Sequence, residues 1–375
     1  MNKKLTFLLV LTFLFLFSCS VYGDDFQDGL DAYQRKDYKE AVRLYRLSAE
    51  QENASAQYNL GFMYSNGQGV PQDYKEAVKW WELSAEQGYA PGQSILGLMY
   101  SNGQGVSQDY KEAVKWYHLS AEQGYASAQI NLGLMYTNGQ GVPQDYKEAI
   151  RLYRLSAEQG YTSAQYNLGV MYYKGKGVSQ DYKEAVRLFL PLAEQGSPSA
   201  QYNLGLMYDN GQGVPQDYKE AIRLYRLSAE QGHVKAQKNL GFMYFSGQGV
   251  PQDYKEAVRL YRLSAEQGDT SAQYNLGVMY ETGKGVPQGY KEAVRLYRLS
   301  AKQGDAGAQS NLGVMYSKGT GVIQDYALAY MWLNLSGSNG NTGALKKRNI
   351  IEKRMSPSQI EEAQEMTRNW KPTKK

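Results

Sequence analysis

Asn66 to Ala77 reads NGQGVPQDYKEA, and the same twelve letters return at Asn138 to Ala149 and at Asn210 to Ala221. Two glycines followed by an acidic residue and a helical run suit three tasks: cradling a phosphate, holding a cation, or ending one helix and starting another. The choice among them decides the fold.

A phosphate loop needs G-x-x-x-x-G-K-[ST], and a dinucleotide fingerprint needs G-x-G-x-x-G after a strand. GQGVPQD has neither the third glycine nor the lysine, and it follows a helical pattern. Asp73 also places negative charge at a helix N-terminus, where a phosphate would sit. The architectural reading accounts for every letter. Gly67 takes the left-handed conformation that ends the first helix, Gly69 relaxes the turn and Val70 tucks between helices. Asp73 caps the second helix, and Glu76 three residues later completes a capping box.

Leu-Gly pairs fall at Gly61, Gly97, Gly133, Gly169, Gly205, Gly241, Gly277 and Gly313, always 36 residues apart. A fixed period marks an array whose units bury their apolar faces against their neighbours. Within one unit, Ala56, Leu60, Met63 and Tyr64 share a helical face in a helix A of about Ala54 to Ser65. Tyr74, Ala77, Val78, Trp81 and Ala85 do the same in a helix B of about Tyr74 to Gln87. Gly61 and Ala77 are small where the two helices would cross, so a Gly61→Leu change should force them apart.

These residues resemble the Sel-one-like repeat family, relatives of the tetratricopeptide repeats. The family pattern A-x-x-x-L-G-x-x-Y, G-x-G-V, D-Y-x-x-A and A-E-x-G stands here as Ala56, Leu60-Gly61, Tyr64, Gly67 to Val70, Asp73-Tyr74, Ala77 and Ala85 to Gly88. The likeness covers about residues 26 to 336. It implies an all-α fold, an α-solenoid in which antiparallel helix pairs wind into a right-handed superhelix with a concave inner face.

Four segments follow: a signal peptide at 1–23, a tetratricopeptide-like capping repeat at 24–53, the array at 54–336, and capping helices with a basic tail at 337–375. In the first repeat Gly29 precedes Ala41 by twelve residues, against sixteen from Gly61 to Ala77, so its loop is short. Beyond Gly337 to Gly340, two helices are expected, about Thr342 to Arg354 and Ser358 to Trp370. Ser356 with Gln359 forms a capping box, Pro357 stands at the first helical position, and the last helix is expected to lid the exposed edge of the final repeat. Pro191 falls inside a helix B, removes one intrahelical hydrogen bond and should bend that helix near Phe189. Gly92, in the place of Ala56, should soften the start of its helix A.

Lys3 and Lys4, the apolar run Leu5 to Phe17 and the small exit at Gly23 are the parts of a secretory leader. The mature chain is therefore expected to be exported, periplasmic or secreted, with no transmembrane span. Leu16-Phe17-Ser18-Cys19 resembles a bacterial lipoprotein box and offers the alternative of a lipid anchor on Cys19, although Phe17 is bulky beside the cleaved bond. Cys19 is the only cysteine, so cleavage after Gly23 leaves no disulfide or thiolate chemistry. Without Lys3 and Lys4 the chain carries 39 basic and 37 acidic side chains, and nine of the basic ones lie in residues 346–375. The body lacks the basic stripe that nucleic acid requires.

Catalysis and cofactors find no support. His118 and His233 occupy different repeat phases with no second imidazole or thiol beside them, so both are read as surface residues, and no metal is expected. Some cysteine-rich relatives are regarded as β-lactamases, but this chain has no S-x-x-K, S-D-N and K-T-G set and no G-x-S-x-G elbow. Binding is favoured: a non-enzymatic scaffold taking a protein or peptide partner. Stacking on an envelope glycan is the alternative, and a β-lactamase-like hydrolase the more distant one. By the resemblance, the groove is lined by residues three before, one after and four after each Leu-Gly glycine. They include Tyr58, Phe62, Ile130, Tyr166, Tyr173 and Tyr202, then Lys238, Phe242, Phe245, Tyr274 and Glu281. The first and third of these positions change from copy to copy while the Leu-Gly and G-x-G-V letters repeat.

Overall fold

The structure, a computed structural model, describes residues 25–373. The expected leader, Cys19 and the last two residues of the basic tail lie outside the described residues. Those described form helices and loops, with no strand among them. They fall into two compact units, Met1–Asp181 and Tyr182–Lys375.

The first unit holds α1 (25–34), α2 (Tyr38–Glu50), α3 (Ala54–Asn66), α4 (Tyr74–Glu86) and α5 (Ala90–Asn102). It continues with α6 (Tyr110–Glu122), α7 (Ala126–Asn138), α8 (Tyr146–Glu158) and α9 (Thr162–Lys174). The second holds α10 (Tyr182–Glu194), α11 (Pro198–Asn210), α12 (Tyr218–Glu230), α13 (Val234–Ser246), α14 (Tyr254–Glu266) and α15 (Thr270–Thr282). Then come α16 (Tyr290–Lys302), α17 (Ala306–Lys318), α18 (Tyr326–Ser338), α19 (Thr342–Glu352) and α20 (Pro357–Asn369). Inside each unit the A helices, odd-numbered from α3 to α17, pack on the neighbouring B helices of that unit. Each unit is thus a stretch of α-solenoid.

The repeated loop works as a joint. Gly67 has φ 66°, the Gln68 N–H donates to the Met63 carbonyl at 3.0 Å, and these bonds close the end of α3. The Asp73 N–H then donates to the Tyr64 carbonyl at 2.9 Å, which folds the loop back on the helix it has left. The Asp73 carboxylate accepts from the Lys75 and Glu76 N–H groups at 2.9 and 3.1 Å. The expected capping box is half formed: Glu76 turns away to the Lys79 ammonium at 2.8 Å, because the Asp73 N–H is already taken. Gly69 does more than relax a turn. With φ 73°, it lies so close to the preceding B helix that a Cβ would overlap the Tyr38 carbonyl oxygen.

Gly61 meets an aromatic ring more closely than it meets the backbone of Ala77. A Cβ there would lie 2.6 Å from Trp81 Cδ1 and would also collide with the indole nitrogen. In other copies the ring is tyrosine, with Tyr153 Cε1 at 2.6 Å from a Cβ at Gly133 and Tyr225 Cδ1 at 2.9 Å from one at Gly205. Ala56, Leu60, Met63, Ala77, Val78, Trp81 and Ala85 are buried as the periodicity requires, whereas Tyr74 is exposed.

At two places the structure adds to or alters the expectation. Helix α10 runs through Pro191 over the same thirteen residues as every other B helix, so the proline neither ends nor shortens it. Pro191 stands in the register of Leu47 and is exposed, while Leu190 takes the register of Arg46. At the C-terminus α19 occupies the place of a next helix A, whereas α20 lies along α18. Covering the open edge therefore falls to α19. The predicted capping box of α20 is present, with Ser356 N–H to Gln359 Oε1 at 2.9 Å and Gln359 N–H to Ser356 Oγ at 3.3 Å.

One B helix lacks its acidic cap: Gly289 stands where other copies have aspartate, with φ −148° close to that of Asp73 (φ −149°). Substituting Gly289→Asp should add a side-chain cap worth roughly 0.3 kcal/mol, because glycine is itself a tolerated N-cap. In a unit of this size that raises the thermal midpoint by about 1 °C. An unchanged or lowered midpoint in a calorimetric scan would contradict this account of the loop.

Candidate partner-binding face of the A helices

Three residues before the Leu-Gly glycine, Tyr58 and Tyr202 are half-buried and stand against the N-cap residue of the next helix A. The Tyr58 ring stands edge-on to Phe62 at 4.9 Å and to Tyr89 at 5.6 Å, and burial pushes its hydroxyl up to about 12. Tyr202 lies against Tyr225 at 6.0 Å and His233 at 4.7 Å, and Tyr274 against Tyr297 at 5.9 Å. Ile130, Tyr166 and Lys238 hold the same register and are also half-buried.

The position after the glycine is the most open. Phe242 is 51% exposed, a large apolar ring left in water. Phe62, in the same register, is half-buried and packs edge-on against Trp81 at 5.5 Å.

Four residues after the glycine, the side chain often serves the interior. Each buried tyrosine of helix B carries a hydroxyl that must find a partner. Thr137 Oγ1 lies 3.0 Å from the Tyr153 hydroxyl. The Tyr225 hydroxyl donates to Asp209 Oδ2 at 3.2 Å and accepts from Asn239 Nδ2 at 3.3 Å. Tyr297 donates to Glu281 Oε2 at 2.5 Å. Burial drives both tyrosine hydroxyls far above their ordinary range and raises the Asp209 carboxyl. Glu281, expected to face a partner, is thus committed to Tyr297. The signal was in the sequence: a polar residue at this position stands sixteen before a tyrosine. Phe245 packs on Tyr254 at 5.5 Å with the Lys284 ammonium 5.5 Å from its ring centre, and Tyr173 is half-buried. The candidates lie in both units, Tyr58 to Tyr173 in the first and Tyr202 to Glu281 in the second.

The two histidines separate. His118 is exposed, 3.4 Å from the Glu122 carboxylate. His233, expected at the surface, is a half-buried N-cap whose Nδ1 accepts from the Ala236 N–H at 3.3 Å. It stands where Asn53, Ser197, Asp269 and Asp305 cap their own helices. Among the described residues no three His, Cys, Asp or Glu side chains gather as metal ligands, and no helix is long and apolar enough to cross a membrane.

The Sel1 repeat family matches residues 21–53 and then every 36-residue copy from 54–89 to 306–341, nine in all. The chain belongs to the Sel1 repeat family. One similar solved structure is a Sel1 repeat protein from Oxalobacter formigenes, 34% identical over 82% of this chain and 90% of that one, with a TM-score of 0.67. Another is a protective antigen present in uropathogenic Escherichia coli strains, 31% identical over 93% of this chain and 91% of that one, with a TM-score of 0.54. No curated protein matches the chain. In these Sel1 repeats the groove candidates divide by depth: Phe242 stands out in water, whereas Glu281 and Asp209 are tied to the core.

The His233 cap carries a pH signature. Burial, then the nearby Lys235 charge, lowers its pKa from 6.5, since the ring is held neutral to accept through Nδ1. A depressed pKa means that the cap is fully present above the unfolded value and is lost as the pH falls through the folded one. Between pH 7.5 and 5 the thermal midpoint should fall further than in His233→Asn, by the worth of about one cap, 1 kcal/mol. Identical pH profiles would contradict the assignment.

Proposed function

We propose that this chain is a non-catalytic scaffold that takes a protein or peptide partner on the A-helix face. Sel1 repeat chains are typically protein-interaction scaffolds, which gives the coarse class. The single observation that carries the finer reading is the contrast at the A-helix registers. Ala56, Leu60 and Met63 recur as buried Ala, Leu and Met in copy after copy, whereas the outward positions vary and leave Phe242 half in water. Large aromatics with free area are the usual anchors of an interface.

The same proposal places the chain outside the cytoplasm. The leader-like start and the likeness to a protective antigen both support export, with a lipid anchor on Cys19 as the variant to be distinguished.

Capture of envelope proteins on the immobilised chain, beside binding of purified cell-wall fragments, tests the reading. Phe242→Ala should weaken the captured protein partner at least tenfold, about 1.4 kcal/mol, and leave the thermal midpoint nearly unchanged, whereas Tyr166→Ala should weaken capture and lower the midpoint together, since its ring is half-buried. Equal capture by both variants would remove the A-helix face from the account. Saturable binding of cell-wall fragments lost in these variants would replace the peptide partner with a glycan.

A further inference from the structure

Two grooves of one construction open between neighbouring B helices of the second unit. The groove between α14 and α16 has a volume of about 390 Å³. Its apolar floor is Ala265, Leu276, Leu296 and Leu299, and Arg262 and Glu266 stand on its rim. The groove between α12 and α14, about 520 Å³, has the same apolar floor 36 positions earlier, Ala229, Leu240, Leu260 and Leu263. Leu263 and Leu299 are 37% and 39% exposed. A leucine in this register faces water in copy after copy, at an energetic cost to the isolated chain.

The third register, between α16 and α18, shows what such a groove holds. Its floor is Ala301, Leu312, Trp332 and Leu335, and there the leucine is only 7% exposed. The cover is the chain's own α20. Trp370 packs edge-on to Trp332 at 6.2 Å, Met366 one turn earlier joins the same apolar cluster, and the Thr373 N–H donates to the carbonyl of Lys302, the last residue of α16, at 2.8 Å. Ala363 is fully buried against Ala327 and Tyr330. An amphipathic helix with large apolar side chains four residues apart, followed by an extended tail, therefore fits this surface.

We propose that the two open grooves are docking sites for amphipathic helices of a partner protein, each inserting two large apolar side chains one turn apart as α20 does. The open grooves differ from the filled one on one wall. Where α18 has Leu328 and Met331, α16 has the Glu292–Arg295 ion pair at 2.6 Å. The partner's helix accordingly carries polar or charged groups beside its apolar anchors, to face that ion pair. These sites are distinct from the A-helix face and stand or fall separately from it.

A labelled peptide of residues 355–373 is the probe, titrated by fluorescence anisotropy against the chain with its own α20 in place. Saturable binding is expected. It should weaken at least tenfold when Leu263→Glu and Leu299→Glu are combined, and likewise when the peptide's Met366 and Trp370 are replaced by alanine, while Phe242→Ala in the chain leaves it unchanged. Both leucines are exposed, so the paired variant should melt as the parent does. Should it not, a photoreactive group in place of the peptide's Trp370 gives the second readout, with crosslinks expected on α14. No saturable binding up to millimolar peptide, or crosslinks confined to α18, would overturn the proposal, the latter by showing mere exchange with α20.

Discussion

The structure depends on an aromatic ring of helix B lying directly on a glycine of helix A. At Gly61, Gly133 and Gly277 there is no room for even one added carbon: the rings of Trp81, Tyr153 and Tyr297 occupy it. Overfilling a packed contact of this kind costs about 1–3 kcal/mol. The contact fixes how near the two helices come, and so fixes the spacing on which the next copy must stack. It also buries a tyrosine hydroxyl in most copies, and an unpartnered hydroxyl there would cost about 1–3 kcal/mol. The polar side chains Thr137, Asp209, Glu281 and Asn239 follow from that demand.

A second set of buried polar groups joins one copy to the next. Gln237 Nε2 donates to the Ala229 carbonyl at 3.2 Å, and its Oε1 accepts from Gln267 at 2.9 Å. The same relay recurs from Gln273 to Ala265 and from Gln303 to Gln273. Ser264 Oγ reaches the Val234 carbonyl at 3.0 Å across thirty residues. Apolar stacking alone would let neighbouring copies slide, whereas these bonds are satisfied in one register only. The arginines on the outside repeat the pattern more loosely, as in Arg226 to the Tyr244 hydroxyl at 2.9 Å.

Much of this was legible in the letters, because a period of 36 leaves few ways to place two helices, a glycine turn and an aspartate cap. The helix bounds came within a residue or two for the same reason. The reading failed where a residue's task depends on what stands opposite it or on what holds its place in other copies. Glu281 looked like a groove residue until Tyr297 claimed it. His233 looked like surface until it was seen to replace the asparagine and aspartate caps of other copies. Gly69 looked like slack in a turn, but it is held bare by the Tyr38 carbonyl. Pro191 falls on an exposed face, and the helix runs on through it.

The central claim is a division of labour: the invariant loop and the ring-on-glycine contact build the array, and binding belongs to side chains that vary on its faces. Saturation substitution of the whole chain, scored in parallel for folded abundance and for partner capture, measures this division directly. The account predicts that changes in the G-x-G-V loop and at the Leu-Gly glycines reduce abundance and capture together. Losses of capture alone should fall at outward positions such as Phe242. Capture-only losses concentrated at Gln68, Val70 or Asp73 and their repeats, with abundance intact, would contradict it and return the loop to the role of a binding site.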